Sequence, residues 1–306
     1  MEYPVISEVE RVRMLQYPAA RADIVIDSDT ANEVDDQFAI AYALLSPERL
    51  RVRAIQAAPY VIDDGLQDPA VGMERSYQEI LRVLHLMGRS APEGFVLRGS
   101  PRFMAADKRP VESPAMRGLI ALAGEYTPER PLYAVCIGAI TNVASAIQAC
   151  PDIIRRMVVV WLGGDGFGET PDEFNVNRDK YAAQVIFDCG VPLVHVPCYP
   201  VSSHLVTSVP ALKEAIGGKN PLCDFLIENV REFRPGAFAS GKEIWDVAAL
   251  AWLMAPDWTS SEIVAAPRIT DNLTWSFDYR RPLMRNIRAL RREKIFPDLF
   301  GKLSAL

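Results

Sequence analysis

Apolar and polar positions alternate along the first two thirds of the chain in a way that predicts strands followed by helices. Short runs rich in β-branched and bulky apolar residues predict strands at 22–27, 52–57, 95–98, 132–137, 157–162 and 192–196. Longer segments with helical spacing of apolar residues predict helices at 33–45, 69–87, 115–124, 139–149 and 180–189. This alternation predicts an α/β fold, with a mainly parallel central sheet, helices on both faces and an open, Rossmann-like arrangement.

The last third of the chain has a more helical pattern. Helices are predicted at 210–216, 221–232 and 244–254, followed by a short β-like stretch at 273–279 and a basic final helix that begins near Arg285. The sequence contains no internal repeat, low-complexity tract or linker. We therefore expect one α/β domain over residues 1–306.

Composition narrows the class of protein. The chain has 306 residues, is 49% hydrophobic and 24% charged, and carries a net charge of -6, which is ordinary for a globular protein and gives no sign of nucleic-acid or membrane binding. Five cysteines occur without a CxxC pair. We interpret them as reduced core residues and expect a cytoplasmic protein, with no signal peptide and no membrane span.

The first predicted strand runs into an acidic segment. Five carboxylates lie within about ten residues: Asp27, Asp29, Glu33, Asp35 and Asp36. Crowded anions repel one another, so a fold that keeps them together needs a cation, hydrogen-bond donors or raised pKa values. Hard oxygen ligands favour calcium or magnesium, and the end of a strand is where open α/β sheets bind ligands. The alternative is a solvated acidic turn capped by Asn32.

Three other segments have unusual residues at predicted strand or helix ends. Residues 137–142 (Ile-Gly-Ala-Ile-Thr-Asn) join a strand to a helix. Residues 162–166 (Leu-Gly-Gly-Asp-Gly) end a strand and are followed by Glu-Phe-Asn at 173–175. Asp246 lies in the first turn of a predicted helix, where the helix dipole favours a carboxylate.

Taken in order, these segments resemble the nucleoside hydrolase family of the inosine-uridine-preferring type. In that family an Asp-x-Asp followed by Asp-Asp builds a calcium site. The Thr-Asn turn, the Gly-Gly strand end, the Glu-Phe-Asn segment and a late Asp at a helix start also have counterparts here, in the same order. The resemblance covers residues from about 23 to 256 and implies a nucleoside hydrolase-like architecture.

The resemblance implies hydrolysis of the N-glycosidic bond of a ribonucleoside, giving ribose and free base. It implies that calcium is held by Asp29, Asp36, Asp246 and the carbonyl of Ile137. Asp29 would also be the general base that activates a calcium-bound water. Asp35, Glu173 and Asn175 would hold the sugar, and Asp27 would support the metal ligands. It further implies a small nucleoside as the partner and a homodimer or homotetramer as the assembly.

The chain departs from the family pattern in ways that matter for the leaving base. Many members carry a His beside the late Asp as general acid, but here that residue is Trp245, which we expect to stack on the base. His204 is a second candidate for leaving-group catalysis. Tyr60 stands where a family Asn is expected, and Phe238 lies in a Gly/Pro-containing segment that could cover the base.

Two other functions remain open from the sequence. Residues 24–30 also match the first motif of haloacid-dehalogenase-like phosphatases, in which Asp27 would be the nucleophile and Asp29 the acid/base, with magnesium. That interpretation gives no role to Asp35 and Asp36. The third possibility is a non-catalytic relative that binds nucleosides or ribose, because the family His is missing.

Overall fold

The computed structural model describes residues 2–62, 65–233 and 240–306. Its strands are β1 Ala22–Ser28, β2 Leu50–Ala57, β3 Val96–Arg98, β4 Leu132–Cys136, β5 Met157–Leu162, β6 Leu193–Val196, β7 Val206–Thr207, β8 Lys242–Glu243, β9 Thr259–Ala265, β10 Arg268–Ile269, β11 Trp275–Ser276 and β12 Leu283–Leu290. Its helices are α1 Glu8–Met14, α2 Asp36–Leu44, α3 Pro69–Leu86, α4 Pro114–Ala123, α5 Thr141–Ala149, α6 Phe174–Arg178, α7 Lys180–Asp188, α8 Val209–Ile216, α9 Pro221–Phe233, α10 Val247–Met254 and α11 Arg292–Ser304.

Eight of these strands form the main sheet, in the order β3-β2-β1-β4-β5-β6-β12-β9. Neighbouring strands from β3 to β12 are parallel, and only the pairing of β12 with the edge strand β9 is antiparallel. This confirms the predicted fold class. Because β1, β4, β5 and β6 are parallel neighbours, their carboxyl ends meet at one edge of the sheet.

Alternate residues of the central strands face two separate apolar cores. In β1, Ile24 and Ile26 belong to one core, whereas Val25 belongs to the other. Helices α2, α3, α10 and α11 cover the first core, and α4, α5 and α7 cover the second. All seven residues of β1 and all six of β5 are buried. This explains the continuous apolar run in β5, whereas in β1 the apolar run is short and two buried aspartates flank it.

The predicted final helix near Arg285 is wrong. Residues 283–290 form the strand β12, which pairs with β6 on one side and β9 on the other, and the helix begins only at Arg292. Met284 and Asn286 are buried while the alternating residues Leu283 and Arg285 are only partly buried, so the first half of the segment has a strand period that its arginine content obscures. The β-like stretch at 273–279 contains only the short strand β11.

Three helices begin later than predicted, each just after a strand or loop that carries candidate chemistry. Helix α2 begins at Asp36 instead of 33, α5 at Thr141 instead of 139, and α10 at Val247 instead of 244. Asp35 and Asp246 therefore occupy N-cap positions, and neither side chain bonds to its own helix. Both carboxylates are left free to point away from the helix they precede.

None of the helices in the described ranges combines the length and the apolar character that a bilayer span requires.

Candidate active site

A cavity of about 310 Å³ opens at the carboxyl ends of the central parallel strands. It is lined by Asp29, Asn32, Glu33, Asp35, Asp36, Ile137, Leu162, Asp165, Glu173, Phe174, Asn175, Cys198, Tyr199, Trp245 and Asp246. Seven of these side chains are carboxylates, and among the described residues no Lys, Arg or His lines the cavity. The segments singled out in the sequence thus meet at one place, and that place is strongly acidic.

One group of potential metal ligands combines carboxylates from two distant parts of the sequence. Asp35, Asp36 and Asp246 each offer a carboxylate oxygen, and these atoms all lie within 4.8 Å of one another. The backbone N–H of Asp246 donates to Oδ2 of Asp35 over 3.4 Å, and the Ser28 hydroxyl donates to Oδ1 of Asp36 over 2.5 Å. Three carboxylate oxygens at this spacing are within reach of one hard cation.

Asp29 lines the same cavity and carries an unsatisfied oxygen. Its side chain is buried, and Oδ2 has no hydrogen-bond partner among the described residues. The backbone of Gly138 passes so close that a Cβ atom there would lie 2.8 Å from Oδ1 of Asp29, so only glycine fits. A buried carboxylate oxygen without a donor, beside three other carboxylates, fits a bound cation.

Without a cation these carboxylates hold protons more tightly than usual. Burial raises the pKa of Asp36 to about 8 and that of Asp35 to about 6. Burial, and then the charges of the neighbouring carboxylates, raise the pKa values of Asp29 and Asp246 well above the ordinary range. A divalent cation supplies the opposite charge and would favour the ionised form of all four groups.

Asp27 lies beneath the cavity rather than in its wall. Its Oδ1 accepts a hydrogen bond of 2.7 Å from Nδ2 of Asn142, which also donates to the carbonyl of Ala57. Oδ1 of Asn142 in turn accepts from the backbone N–H and the hydroxyl of Ser100. This buried network ties the ends of β1 and β2, the segment after β3 and the start of α5 together. Asp27 is therefore placed to support the ligands above it, and not to attack a substrate as the phosphatase hypothesis requires.

Glu173 and Asn175 form the opposite side of the cavity. The Glu173 carboxylate caps α6 and accepts from the backbone N–H groups of Gly164 at 2.7 Å and Asn175 at 2.9 Å. The Asn175 side chain donates to the carbonyl of Leu162 over 3.0 Å and, at 3.5 Å, to that of Ile137. The Gly-Gly strand end thus holds the Glu173 carboxylate in place, and that carboxylate retains free acceptor capacity toward the cavity.

Trp245 brings an aromatic side chain to the cavity wall next to Asp246. Asp165, Cys198 and Tyr199 also line the cavity. The sequence singled out the segment 162–166 that contains Asp165, but none of the three was predicted as a site residue. The Asp165 carboxylate accepts from the Tyr199 backbone N–H over 2.8 Å, and the Tyr199 side chain is 53% exposed. Burial raises the pKa of the Cys198 thiol well above its ordinary value, which keeps it protonated. All three follow the carboxyl ends of β5 or β6, and this position after a parallel strand was the one sequence signal that could have identified them as site residues.

Two predicted site residues, Tyr60 and His204, are not part of this cavity wall. The Tyr60 side chain is buried, and its hydroxyl donates to the Ala31 carbonyl over 3.1 Å. His204 is exposed at the end of a short 3-10 helix and does not line the cavity. Phe238 lies outside the described residues.

Comparison with known proteins links this geometry to one family. The sequence model of the inosine-uridine preferring nucleoside hydrolase family matches residues 24–275 of this chain. The non-specific ribonucleoside hydrolases RihC of Escherichia fergusonii and Shigella sonnei are each 28% identical over 261 residues, which is 78% of this chain and 80% of the relative.

Solved structures of similar proteins share the fold. A plant nucleoside hydrolase, PpNRh1, superimposes with a TM-score of 0.73 at 19% identity, covering 93% of this chain and 99% of its own. The purine-preferring ribonucleoside hydrolase from Gardnerella vaginalis gives 0.71 at 21% identity, covering 92% and 98%. With a family match over most of its length and this fold, the chain belongs to the inosine-uridine preferring nucleoside hydrolase family.

Proposed function

We propose that the protein hydrolyses the N-glycosidic bond of ribonucleosides and releases ribose and the free base. The observation that carries this proposal is the acidic cavity, in which Asp29, Asp35, Asp36 and Asp246 face Glu173 and Asn175. Membership of the family and the activities named for its relatives support it. The phosphatase alternative is set aside because Asp27 does not line the cavity.

The residues fit calcium as the cation. We propose Asp29, Asp36, Asp246 and the Ile137 carbonyl as ligands, and the short spacing of Asp35 to Asp36 and Asp246 brings a further carboxylate to the same place. Calcium, when bound, would hold the vicinal hydroxyls of the sugar and lower the pKa of water. Four carboxylates and a carbonyl are the hard oxygen donors that this ion prefers.

Asp29 is the proposed general base. Its Oδ2 has no partner among the described residues, so it is free to accept the proton of the attacking water. A side chain at position 138 would crowd Oδ1, so glycine at this position leaves room for the carboxylate. The other carboxylates then stabilise the positive charge that develops on the sugar in an oxocarbenium-like transition state.

Glu173 and Asn175 are proposed to hold the part of the sugar that lies away from the cation. Glu173 is fixed by backbone donors at 2.7 and 2.9 Å, so its orientation is set before substrate binds. With seven carboxylates and no cationic side chain among its described lining residues, the cavity would repel a phosphate group. Neutral ribosides are therefore the proposed substrate class.

Trp245 is proposed to stack on the leaving base. Stacking on an aromatic face contributes about 1–3 kcal/mol per base and would make a ring nitrogen easier to protonate from solvent. The larger face of a purine gains more from this contact, so we expect a modest purine preference. His204 is exposed outside the cavity, which leaves it without a place in this scheme.

The test is release of ribose from a panel of purine and pyrimidine nucleosides, with and without a calcium chelator. Release that stops with the chelator and returns with calcium is the expected result. A second candidate function is binding of a riboside without cleavage. One observation favours it: among the described residues, no His, Lys or Arg lines the cavity, so no such side chain is present to protonate a leaving base. Saturable nucleoside binding without any ribose release would support it instead.

Two further predictions concern the setting of the enzyme. All five cysteines are free, which supports the predicted reducing, cytoplasmic compartment.

The predicted homodimer or homotetramer is checked by the molar mass of the protein in solution.

A further inference from the structure

Lys242 is a buried cation beside the acidic turn that lines the cavity. Its side chain is 3% exposed, and Nζ lies 2.6 Å from Oε2 of Glu33. The same Nζ donates to the Glu243 carbonyl over 2.7 Å and lies 5.2 Å from the centre of the Phe233 ring. An ammonium group is costly to bury unless it is paired, so the ion pair with Glu33 is what makes this position tolerable.

The backbone that carries Lys242 is fixed independently of the cavity. Lys242 belongs to β8, which pairs with β7, and directly after it the N–H of Ile244 donates to the Leu205 carbonyl over 2.8 Å. On the other side, a Cβ atom at Gly241 would lie only 2.3 Å from Cγ1 of Val206. Lys242 is therefore an anchored group, and the turn that contains Glu33 is attached to it.

The ion pair joins two segments that each supply part of the cavity wall. Glu33 lies between Asp29 and Asp35 in the turn before α2, whereas Trp245 and Asp246 follow Lys242 on the way to α10. A second link between the same segments, from the Asp246 N–H to Asp35, is 3.4 Å long. The ion pair at 2.6 Å is the shorter of these two links and the one between full charges.

We propose that Lys242 is a positioning residue for the cation site. By holding Glu33, it fixes the acidic turn against the segment that ends in Asp246, and so sets the spacing between Asp36 and Asp246. The inference rests on the proposed function only for the identity of the cation, because the ion pair and the carboxylate group are present whatever the reaction is.

A positioning role and a purely electrostatic role of Lys242 predict opposite changes in calcium affinity when Lys242 is removed. A positive charge close to the carboxylates disfavours a second cation there, so removing the charge without moving the ligands would tighten calcium binding. Loss of positioning would instead let the turn shift and weaken binding. The direction of the change in calcium affinity therefore separates the two roles.

The experiment is calorimetric titration of calcium into purified Lys242→Met, Glu33→Gln, the double variant and wild type. We expect Lys242→Met to weaken calcium binding by about 10–100-fold, as loss of a group that orients ligands does. Because Lys242 acts through Glu33, the double variant should be no weaker than the weaker single variant. Lys219→Met removes the same charge from an exposed turn and should bind calcium as wild type does.

Calcium binding by Lys242→Met that equals or exceeds wild type would overturn the proposal, as would losses that add in the double variant. Lys242→Gln, whose amide can still donate to Glu33, gives a second neutral variant if the methionine variant does not fold. Its affinity should fall between those of wild type and Lys242→Met, and tighter binding than wild type would contradict the role. Ribose release is measured on the same samples, so a wild type that binds calcium but cleaves nothing contradicts the proposed function alone.

Discussion

At the scale of single residues, Asp29 is a buried carboxylate that lines the cavity and has one oxygen without a partner among the described residues. We predict that Asp29→Asn lowers kcat on nucleosides by at least about 10²–10⁴-fold, because the amide cannot accept the proton of water and also ligates a cation poorly. Steady-state ribose release measures this, with circular dichroism to check that the fold is kept. Wild-type turnover by the variant would show that another group is the base.

Trp245 provides a residue-scale test of how the base leaves. We predict that Trp245→Ala reduces turnover of ordinary nucleosides by about 5–150-fold, the equivalent of losing a stacking contact of about 1–3 kcal/mol. A nitrophenyl riboside needs no proton on its leaving group, so its turnover should barely change. Equal losses on both substrates would mean that Trp245 only shapes the cavity.

The residues of the site were predictable from the sequence where they belong to a recognisable motif. Asp29, Asp35, Asp36, Glu173, Asn175, Trp245 and Asp246 were all anticipated, and they line one cavity. Cys198 and Tyr199 were not, because a residue after a strand has no chemical signature until the strand order is known. Tyr60 was expected in the site by its position after β2, but its hydroxyl bonds to Ala31 and its ring is buried.

At the scale of elements, hydrogen bonds at the ends of the parallel strands position the segments below the cavity. The Asn142 side chain, at the start of α5, joins the ends of β1 and β2 to the backbone N–H and hydroxyl of Ser100 through four hydrogen bonds of 2.7–3.2 Å. Each of these partners is buried. This makes one side chain responsible for the relative position of three segments below the cavity.

We therefore predict that Asn142→Ala lowers the free energy of unfolding by about 3 kcal/mol or more. The substitution leaves several buried polar groups without hydrogen-bond partners, and each such loss costs about 1–3 kcal/mol. Chemical denaturation measures the loss. Asn177→Ala, at an exposed position on α6, is the matched control and should change stability by less than about 0.5 kcal/mol. A loss at Asn142 no larger than that of the control would mean that water replaces its contacts.

The elements that the sequence predicted well are those with a one-sided or fully buried pattern. Strand β5 was predicted with its observed limits, because every residue in it is apolar and buried. Strand β9 was missed because its seven residues are partly or fully exposed at the sheet edge, and β12 was taken for a helix because of its arginines. Both gain their stability from pairing with neighbours, which a single segment does not reveal.

At the scale of the whole molecule, the cavity makes stability depend on pH when no calcium is bound. Burial raises the pKa of Asp27 to about 7 and that of Asp36 to about 8, whereas a carboxyl group in the unfolded chain has a pKa of about 3.9. The folded chain therefore holds protons that the unfolded chain has released between about pH 4 and pH 8. These groups contribute stability below the unfolded pKa, and that contribution is lost as the pH rises through the folded values.

We predict that the melting temperature of the calcium-free protein falls as the pH rises from about 5 to about 8. Calcium needs ionised carboxylates, so its effect should run the other way. At about 100 times its dissociation constant it stabilises by about 2.7 kcal/mol, which is about 5 °C for a chain of this size, and this gain should be large near pH 8 and small near pH 5. Thermal melts at both pH values, with calcium or with chelator, measure the two effects together. Melting temperatures that are insensitive to pH without calcium, or a calcium shift that is the same at both pH values, would show that the buried carboxylates are not what binds the ion.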